Sequence, residues 1–138
     1  MSVVKGTMNR VELLGNLGAD PEMRFTPSGT AVCKFRVATK RHAGRNAAGE
    51  REFETDWTTV EAWDRLAERC NDALHKGSRV MVVGSLRTDV WEDRETGHRR
   101  SKMFVRADEI VFLDPRPGTA DRLVPAAADA EDDEDLAF

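Results

Sequence analysis

Tyrosine is absent from this chain of 138 residues, cysteine occurs twice and histidine three times. Cys33 and Cys70 each sit in an apolar pattern. They read as buried free thiols rather than as a disulfide framework. His42, His75 and His98 are far apart and have no cysteine beside them, so no metal-ligand spacing is present. There is no P-loop, no G-x-S-x-G, no H-E-x-x-H and no C-x-x-C. Carboxylates fall in charged runs, not in apolar settings that would shift a pKa. These absences leave no residues to carry catalysis, hold a metal or bind a cofactor. No stretch approaches the roughly 20 apolar residues needed to cross a bilayer. The opening Met1-Ser2-Val3-Val4-Lys5 has no apolar leader, and the expectation is a cytoplasmic protein without membrane contact.

A strong net charge is also missing, but only on average. The total of −4 divides into a body, residues 1–118, with 20 basic and 18 acidic residues, and an end, residues 119–138, with 1 basic and 7 acidic residues. The body is at +2 and the end at −6. Such asymmetry suits a nucleic-acid binder with an interaction tail.

The pattern of apolar residues changes near Asp114. Beyond it come Pro115-Arg116-Pro117-Gly118, Pro125-Ala126-Ala127-Ala128 and the acidic run Glu131-Asp132-Asp133-Glu134-Asp135. A segment this charged and Pro/Ala-rich buries too little surface to fold alone. We read 1–114 as one folded domain, 115–130 as a flexible linker and 131–138 as an acidic, disordered C-terminal tip.

Within the body the pattern gives strands over Asn9–Leu14, Thr30–Arg41, Phe53–Ala62, Arg79–Trp91 and Lys102–Leu113. Ala19-Asp20-Pro21 and Thr26-Pro27-Ser28-Gly29 are turn signals. His42–Glu52 reads as a loop, and Glu92–Arg100 as the polar tip of a hairpin. A helix is expected over Arg65–Leu74, capped by Asp64, with Leu66, Cys70, Ala73 and Leu74 on one face and Gly77 beyond its end. The fold class is all-β. Five strands with one α-helix between the third and fourth is the order of an oligonucleotide-binding (OB) barrel.

Strand parity then separates two faces. Val60 and Ala62 point to the core, and Trp57, Thr59, Glu61 and Trp63 point away. Val80, Val82, Gly84 and Leu86 point inward, and Ser85, Arg87, Asp89 and Trp91 outward. Cys33, Phe35 and Val37 point inward, and Lys34, Arg36 and Lys40 outward. All three tryptophans therefore fall on otherwise polar faces. Indole stacks on any nucleobase, each stack contributing about 1–3 kcal/mol without sequence preference. Trp57 and Trp63 lie roughly 20 Å apart at strand rise, enough to span several nucleotides. Basic residues then meet phosphates: Lys34, Arg36, Lys40, Arg41, Arg45 and Arg51 around the second strand and its loop, Arg65 and Lys76 at the helix ends, and Arg87, Arg94, Arg99, Arg100 and Lys102 on the last hairpin. Phe25, Phe35, Phe53, Phe104 and Phe112 read as core or edge packing.

Val11-Glu12-Leu13-Leu14-Gly15-Asn16-Leu17-Gly18, Asp20-Pro21-Glu22-Met23-Arg24, Trp57-Thr58-Thr59-Val60, Trp63-Asp64-Arg65-Leu66-Ala67-Glu68, Lys76-Gly77-Ser78-Arg79-Val80 and Gly84-Ser85-Leu86-Arg87-Thr88 followed by Trp91 together resemble bacterial single-stranded DNA-binding proteins of the OB type. The resemblance covers Met8 to about Leu113 and the extreme C-terminus. It implies a homotetramer that protects single-stranded DNA in replication, recombination and repair, located at the nucleoid. Its stacking positions match Trp57, Trp63 and Trp91, and its basic contacts match Arg65, Lys76 and Arg87. Its partner-binding tip corresponds to Asp133, Glu134, Asp135, Leu136, Ala137 and Phe138.

The chain departs from that pattern in places. A family aromatic is missing near His42-Ala43, where Arg41 or His42 would substitute. Asp89-Val90 stand at positions that are basic in the family. Ala137 stands where proline is usual, and the linker lacks Gly/Gln-rich character. An OB-fold RNA binder would use the same stacking, but the sequence offers no clear reader of a 2′-hydroxyl. An adaptor OB protein, with DNA binding secondary, would lack the acidic tip.

Overall fold

The alternation of apolar and polar residues that marks the strands also sets how they close. In the computed structural model, which describes residues 2–114, the elements run β1 (Ser2–Val4), β2 (Thr7–Asn9), β3 (Val11–Leu17), β4 (Glu22–Phe25), β5 (Ala31–Arg45), β6 (Arg51–Trp63), α1 (Asp64–Ala73), β7 (Arg79–Glu92) and β8 (Arg99–Phe112). The expected linker over 115–130 and tip over 131–138 lie outside the described residues.

Strands β3, β7, β8, β6 and β5 are joined in that order, and β5 returns to β3 through Asn16↔Ala38 and Leu17↔Val37. The ring is thus a closed five-stranded barrel. Its one parallel contact, β6 with β8 at Val60↔Val105 and Glu61↔Arg106, is the seam that closes it. Strand β4 adds to the edge of β5, and β1 and β2 form a separate hairpin. The core holds Cys33, Val37, Val60, Val80, Val82 and Val105, with Cys70 of α1 packed among them.

Two glycines make the closure possible. A methyl group at Gly15 would sit 2.1 Å from the carbonyl oxygen of Ala38, and one at Gly84 2.1 Å from that of Arg106. At both places a side chain would collide with the backbone of the neighbouring strand.

Several boundaries differ from the sequence reading. The first barrel strand continues to Leu17. The segment 42–52 is a loop only at its centre, because β5 and β6 pair from Val32↔Trp63 out to Arg45↔Arg51 as one long arm. The last hairpin likewise pairs to Glu92↔Arg99. Polar, glycine-containing ends of long arms have no core to mark them, so periodicity alone cannot see them. Strand β4 lies between the two turn signals and was not expected. Helix α1 begins at Asp64, which makes no capping bond; Trp63 occupies the cap position, with no side-chain hydrogen bond. Asp64 has φ 57°, a left-handed backbone that aspartate tolerates better than most residues. The buried face of the helix comprises Ala67, Cys70 and Leu74, while Ala73 is exposed.

Parity also fails locally. Val83 pairs with Glu109 and Gly84 with Ala107, so Asp108 is an extra residue in β8 and the inward positions switch from Val105 and Ala107 to Ile110. Leu86, expected inside, is exposed because β7 has there run past its pairing with β3, which ends at Val11↔Gly84, although it still pairs with Val105 of β8. On the side that β3 has left, its backbone N–H and C=O bond to the Asn9 side chain at 2.8 and 2.7 Å. Ser85, expected on the polar face, is buried beside Arg106, its partner in β8.

Candidate nucleic-acid interface

The outer face of β5, β6 and β8 carries the residues that parity singled out. Lys34 and Arg36 project from β5, and Trp57, Thr59, Glu61 and Trp63 from β6. The antiparallel register sets Lys34 opposite Glu61, Arg36 opposite Thr59 and Ala38 opposite Trp57. Two grooves of about 410 and 390 Å³ open on this face. The first is lined by Arg24, Phe25, Trp63, Arg87, Phe104 and Arg106, among others, and the second by Gly18, Phe35, Arg36, Trp57, Thr59 and Lys102, among others. Lys34 lines both, so the grooves adjoin.

Each groove contains an indole backed by a guanidinium. The Arg36 guanidinium carbon lies 4.8 Å from the Trp57 ring centroid, and that of Arg106 lies 4.4 Å from Trp63. Such cation–π contacts contribute about 0.5–1 kcal/mol at exposed sites and hold the ring in one orientation. Trp57 is 47% exposed. Trp63 is half-buried; its Nε1–H donates to Oε1 of Glu61 at 3.1 Å, and its register partner across the strand pair is Val32.

Glu61, expected on the polar face, is there but buried at 8% exposure. Its other oxygen, Oε2, lies 3.6 Å from Lys34 Nζ. In the barrel seam Glu61 stands between Lys34 of β5 and Arg106 of β8.

The remaining basic residues divide by position. Arg87 joins the Trp63 groove. Lys40, Arg41, Arg45 and Arg51 lie along the β5–β6 arm. There Arg41 is held by Glu54 and by Asp56, whose Oδ2 is 3.0 Å from its Nε. Arg45 donates to the Gly49 carbonyl at 2.7 Å. His42 packs on Phe53 with ring centroids 4.9 Å apart, so the position where the family aromatic is missing does carry a ring pair. Arg65, with Phe25 and Asp64, borders a different cleft near α1. Lys76 sits in the turn after the helix, its backbone N–H bonded to Asp20 at 2.7 Å.

Trp91 is 46% exposed but is not brought together with the other two indoles. It lies out on the β7–β8 arm with Val90, Glu92, Gly97 and Arg99. Arg100 is tied by its Nε to Asp93 at 2.9 Å at the tip of that arm. The Asp93 carboxyl is held below its ordinary value by the backbone N–H groups of Glu95 and Thr96 and by Arg100.

Sequence reasoning missed Arg106, Glu61 and Gly18 as parts of the site. Arg106 and Glu61 become partners only through the parallel seam between β6 and β8, which no hairpin predicts. Gly18 precedes the Ala19-Asp20-Pro21 turn signal, and its closeness to Trp57 depends on how β3 leaves the barrel. Among the described residues no group of His, Cys, Asp and Glu could hold a metal ion, and no helix is long and apolar enough to cross a membrane.

The chain is 36% identical over 107 residues to single-stranded DNA-binding protein 1 of a Nostoc species, covering 78% of this chain and 84% of that one. It is 33% identical over 115 residues to single-stranded DNA-binding protein 1 of a Synechocystis species, covering 83% and 91%. With the single-stranded DNA-binding protein of Corynebacterium glutamicum the identity is 44% over 101 residues, covering 72% of this chain but 44% of the longer relative. The family model described as the single-strand binding protein family matches residues 8–113, which hold the whole barrel and both grooves. This chain belongs to the single-strand binding protein family, a family of DNA-binding proteins and not of enzymes.

Proposed function

We propose that this chain binds and protects single-stranded DNA without sequence preference, by stacking bases on Trp57 and Trp63 and holding phosphates with Lys34, Arg36, Arg87 and the cations of the two arms. One observation carries the reading. Two adjoining grooves on one sheet face each present an indole backed by an arginine, with Lys34 common to both. Flat apolar platforms with cations between them fit a strand whose bases are unpaired, and do not discriminate among bases. Trp91, with Arg99 beside it, extends the same chemistry onto the β7–β8 arm; Lys40, Arg45 and Arg51 add basic groups along the β5–β6 arm, and Arg41 and Arg100 would exchange their carboxylate partners for phosphate. Arg65 and Lys76 lie near the helix and would meet the strand as it leaves the sheet.

Titration of the intrinsic tryptophan fluorescence with poly-dT tests this. Strong quenching is expected, and affinity should fall with log salt at a slope near −0.7 per phosphate neutralised. Trp57→Ala should cost about 1–3 kcal/mol with little change in base preference. Equal affinity for duplex DNA, or for RNA of the same length, would refute the assignment to single-stranded DNA.

The proposal extends to the setting of that activity: replication, recombination and repair at the nucleoid, by a homotetramer. The run Asp133-Glu134-Asp135 with Leu136-Ala137-Phe138 is proposed to recruit partner proteins, Phe138 entering an apolar pocket and the carboxylates meeting a basic rim. Removal of 131–138 should leave DNA binding intact and end capture of such partners. Light scattering at micromolar concentration tests the tetramer directly.

A further inference from the structure

A carboxylate buried in a face that binds a polyanion calls for a reason, because it repels phosphate at short range. Glu61 occupies the middle of the sheet face, on the border between the grooves, and lines the one that holds Trp63. Its two oxygens are separately engaged. Oε1 accepts from the Trp63 indole at 3.1 Å, and Oε2 faces Lys34 Nζ at 3.6 Å. Arg106, across the seam from Glu61, lies against the Trp63 ring at 4.4 Å. Trp63 is therefore fixed twice, at its edge by the carboxylate and at its face by the guanidinium.

We infer that Glu61 is a positioning residue for DNA binding: it sets the orientation of the Trp63 indole and restrains Lys34, lowering the contribution of that lysine to phosphate contact. This rests on the reading of the outer sheet face as the single-strand surface. The two effects have opposite signs. The indole bond pre-orders a stacking platform and strengthens binding. The lysine pair takes a cation partly out of use, so that the lysine releases fewer counterions' worth of affinity from the strand. Glu61 thereby moves part of the binding free energy from salt-sensitive phosphate contact to salt-insensitive stacking.

Glutamine and leucine separate these effects. Glu61→Gln keeps an oxygen for the indole N–H and loses the charge; Glu61→Leu loses both. The full chain is titrated with a dT oligonucleotide over a range of salt. Glu61→Gln should bind tighter than wild type at low salt, with a slope steeper by about 0.7. In a Lys34→Ala background the same Glu61→Gln change should leave the slope where Lys34→Ala put it. At high salt, where the charge effects are screened, Glu61→Leu should bind roughly two- to tenfold more weakly than Glu61→Gln, the range expected for one lost hydrogen bond. In a chain with Trp57→Phe and Trp91→Phe, so that Trp63 alone reports, Glu61→Leu should also show less quenching at saturation.

Equal slopes for wild type and Glu61→Gln overturn the inference, and this arm decides by itself if the leucine variant fails to fold. Equal high-salt affinity of the glutamine and leucine variants overturns the role toward Trp63. A wild-type chain that does not bind the oligonucleotide overturns the underlying reading and this inference with it; a wild type that binds while Glu61→Gln changes nothing overturns the inference alone.

Discussion

Gly18 lies directly against the indole of Trp57: a methyl group at Gly18 would sit 2.3 Å from Cζ3 and 2.6 Å from Cη2 of the ring. Those distances are far inside van der Waals contact, so Gly18→Ala must displace the indole. The ring cannot simply slide, since Arg36 occupies one side at 4.8 Å from its centroid. Gly18 lies outside the buried core, so the variant should fold normally. We expect Gly18→Ala to reduce affinity for poly-dT by a large part of the about 1–3 kcal/mol that one stack contributes. A fluorescence titration beside a thermal melt checks this; unchanged affinity would mean that Trp57 stacks equally well in its displaced position.

Gly84 predicts the opposite division between folding and binding. The obstacle there is the Arg106 carbonyl, 2.1 Å from where a Cβ would lie, and backbone yields less than a side-chain tip. Gly84 is also the point where β7 pairs on either side of the extra residue Asp108. Gly84→Ala should therefore lower stability by at least the about 1–3 kcal/mol typical of overpacking. Chemical denaturation would show it, and a midpoint equal to wild type would count against a tight approach of β7 to β8 at Gly84.

The two cysteines predict a pH window. Burial pushes the Cys33 thiol up to about 11 and the Cys70 thiol up to about 12, from an ordinary value of 9.0. A raised folded-state value means that the unfolded chain loses these protons first. The stabilising effect is full below about pH 9 and is lost as pH rises toward about 11 to 12. Stability should decline across that range, and replacing both thiols by alanine should flatten the decline. At pH 8 neither thiol should react with an alkylating reagent until the chain is unfolded, because a thiolate is required and neither is accessible.

The barrel was legible in the sequence wherever one face of a strand is apolar. Val60 and Ala62 on β6 are separated by Glu61, and Cys33, Phe35 and Val37 on β5 by Lys34 and Arg36, and all five apolar residues are buried as expected. Legibility ended at three physical limits. The arms beyond the barrel, such as Arg45↔Arg51, have no buried side and so no periodic signal. The extra residue Asp108 reverses parity within one strand, which a period-two reading cannot anticipate. The site itself depends on pairing between strands: Trp57 and Trp63 could be found from one strand, whereas Arg36, Arg106 and Glu61 acquire their roles only through neighbours across β5, β6 and β8. For the same reason sequence parity grouped Trp91 with the other indoles, though it lies in a separate cleft on the arm.

Asp93 accepts hydrogen bonds from the backbone N–H of Glu95 at 2.8 Å and of Thr96 at 3.4 Å, and from Arg100 Nε at 2.9 Å. These partners all favour the carboxylate and hold its pKa below the ordinary value of 3.8. A lowered folded-state value means that the ordering effect is present above the ordinary carboxylate range and is lost as pH falls through the folded value. Protonation, or Asp93→Ala, should free Arg100 and loosen the turn that joins β7 to β8, while the barrel stays folded. Hydrogen exchange of the 93–98 amides should then rise selectively, with the β3 and β6 amides unchanged. The freed Arg100 is one strand away from Trp91, its register partner. Asp93→Ala should therefore steepen the salt dependence of poly-dT binding by about 0.7 if Arg100 takes up one phosphate. An unchanged slope together with faster exchange at the turn would show that Arg100 serves the hairpin alone.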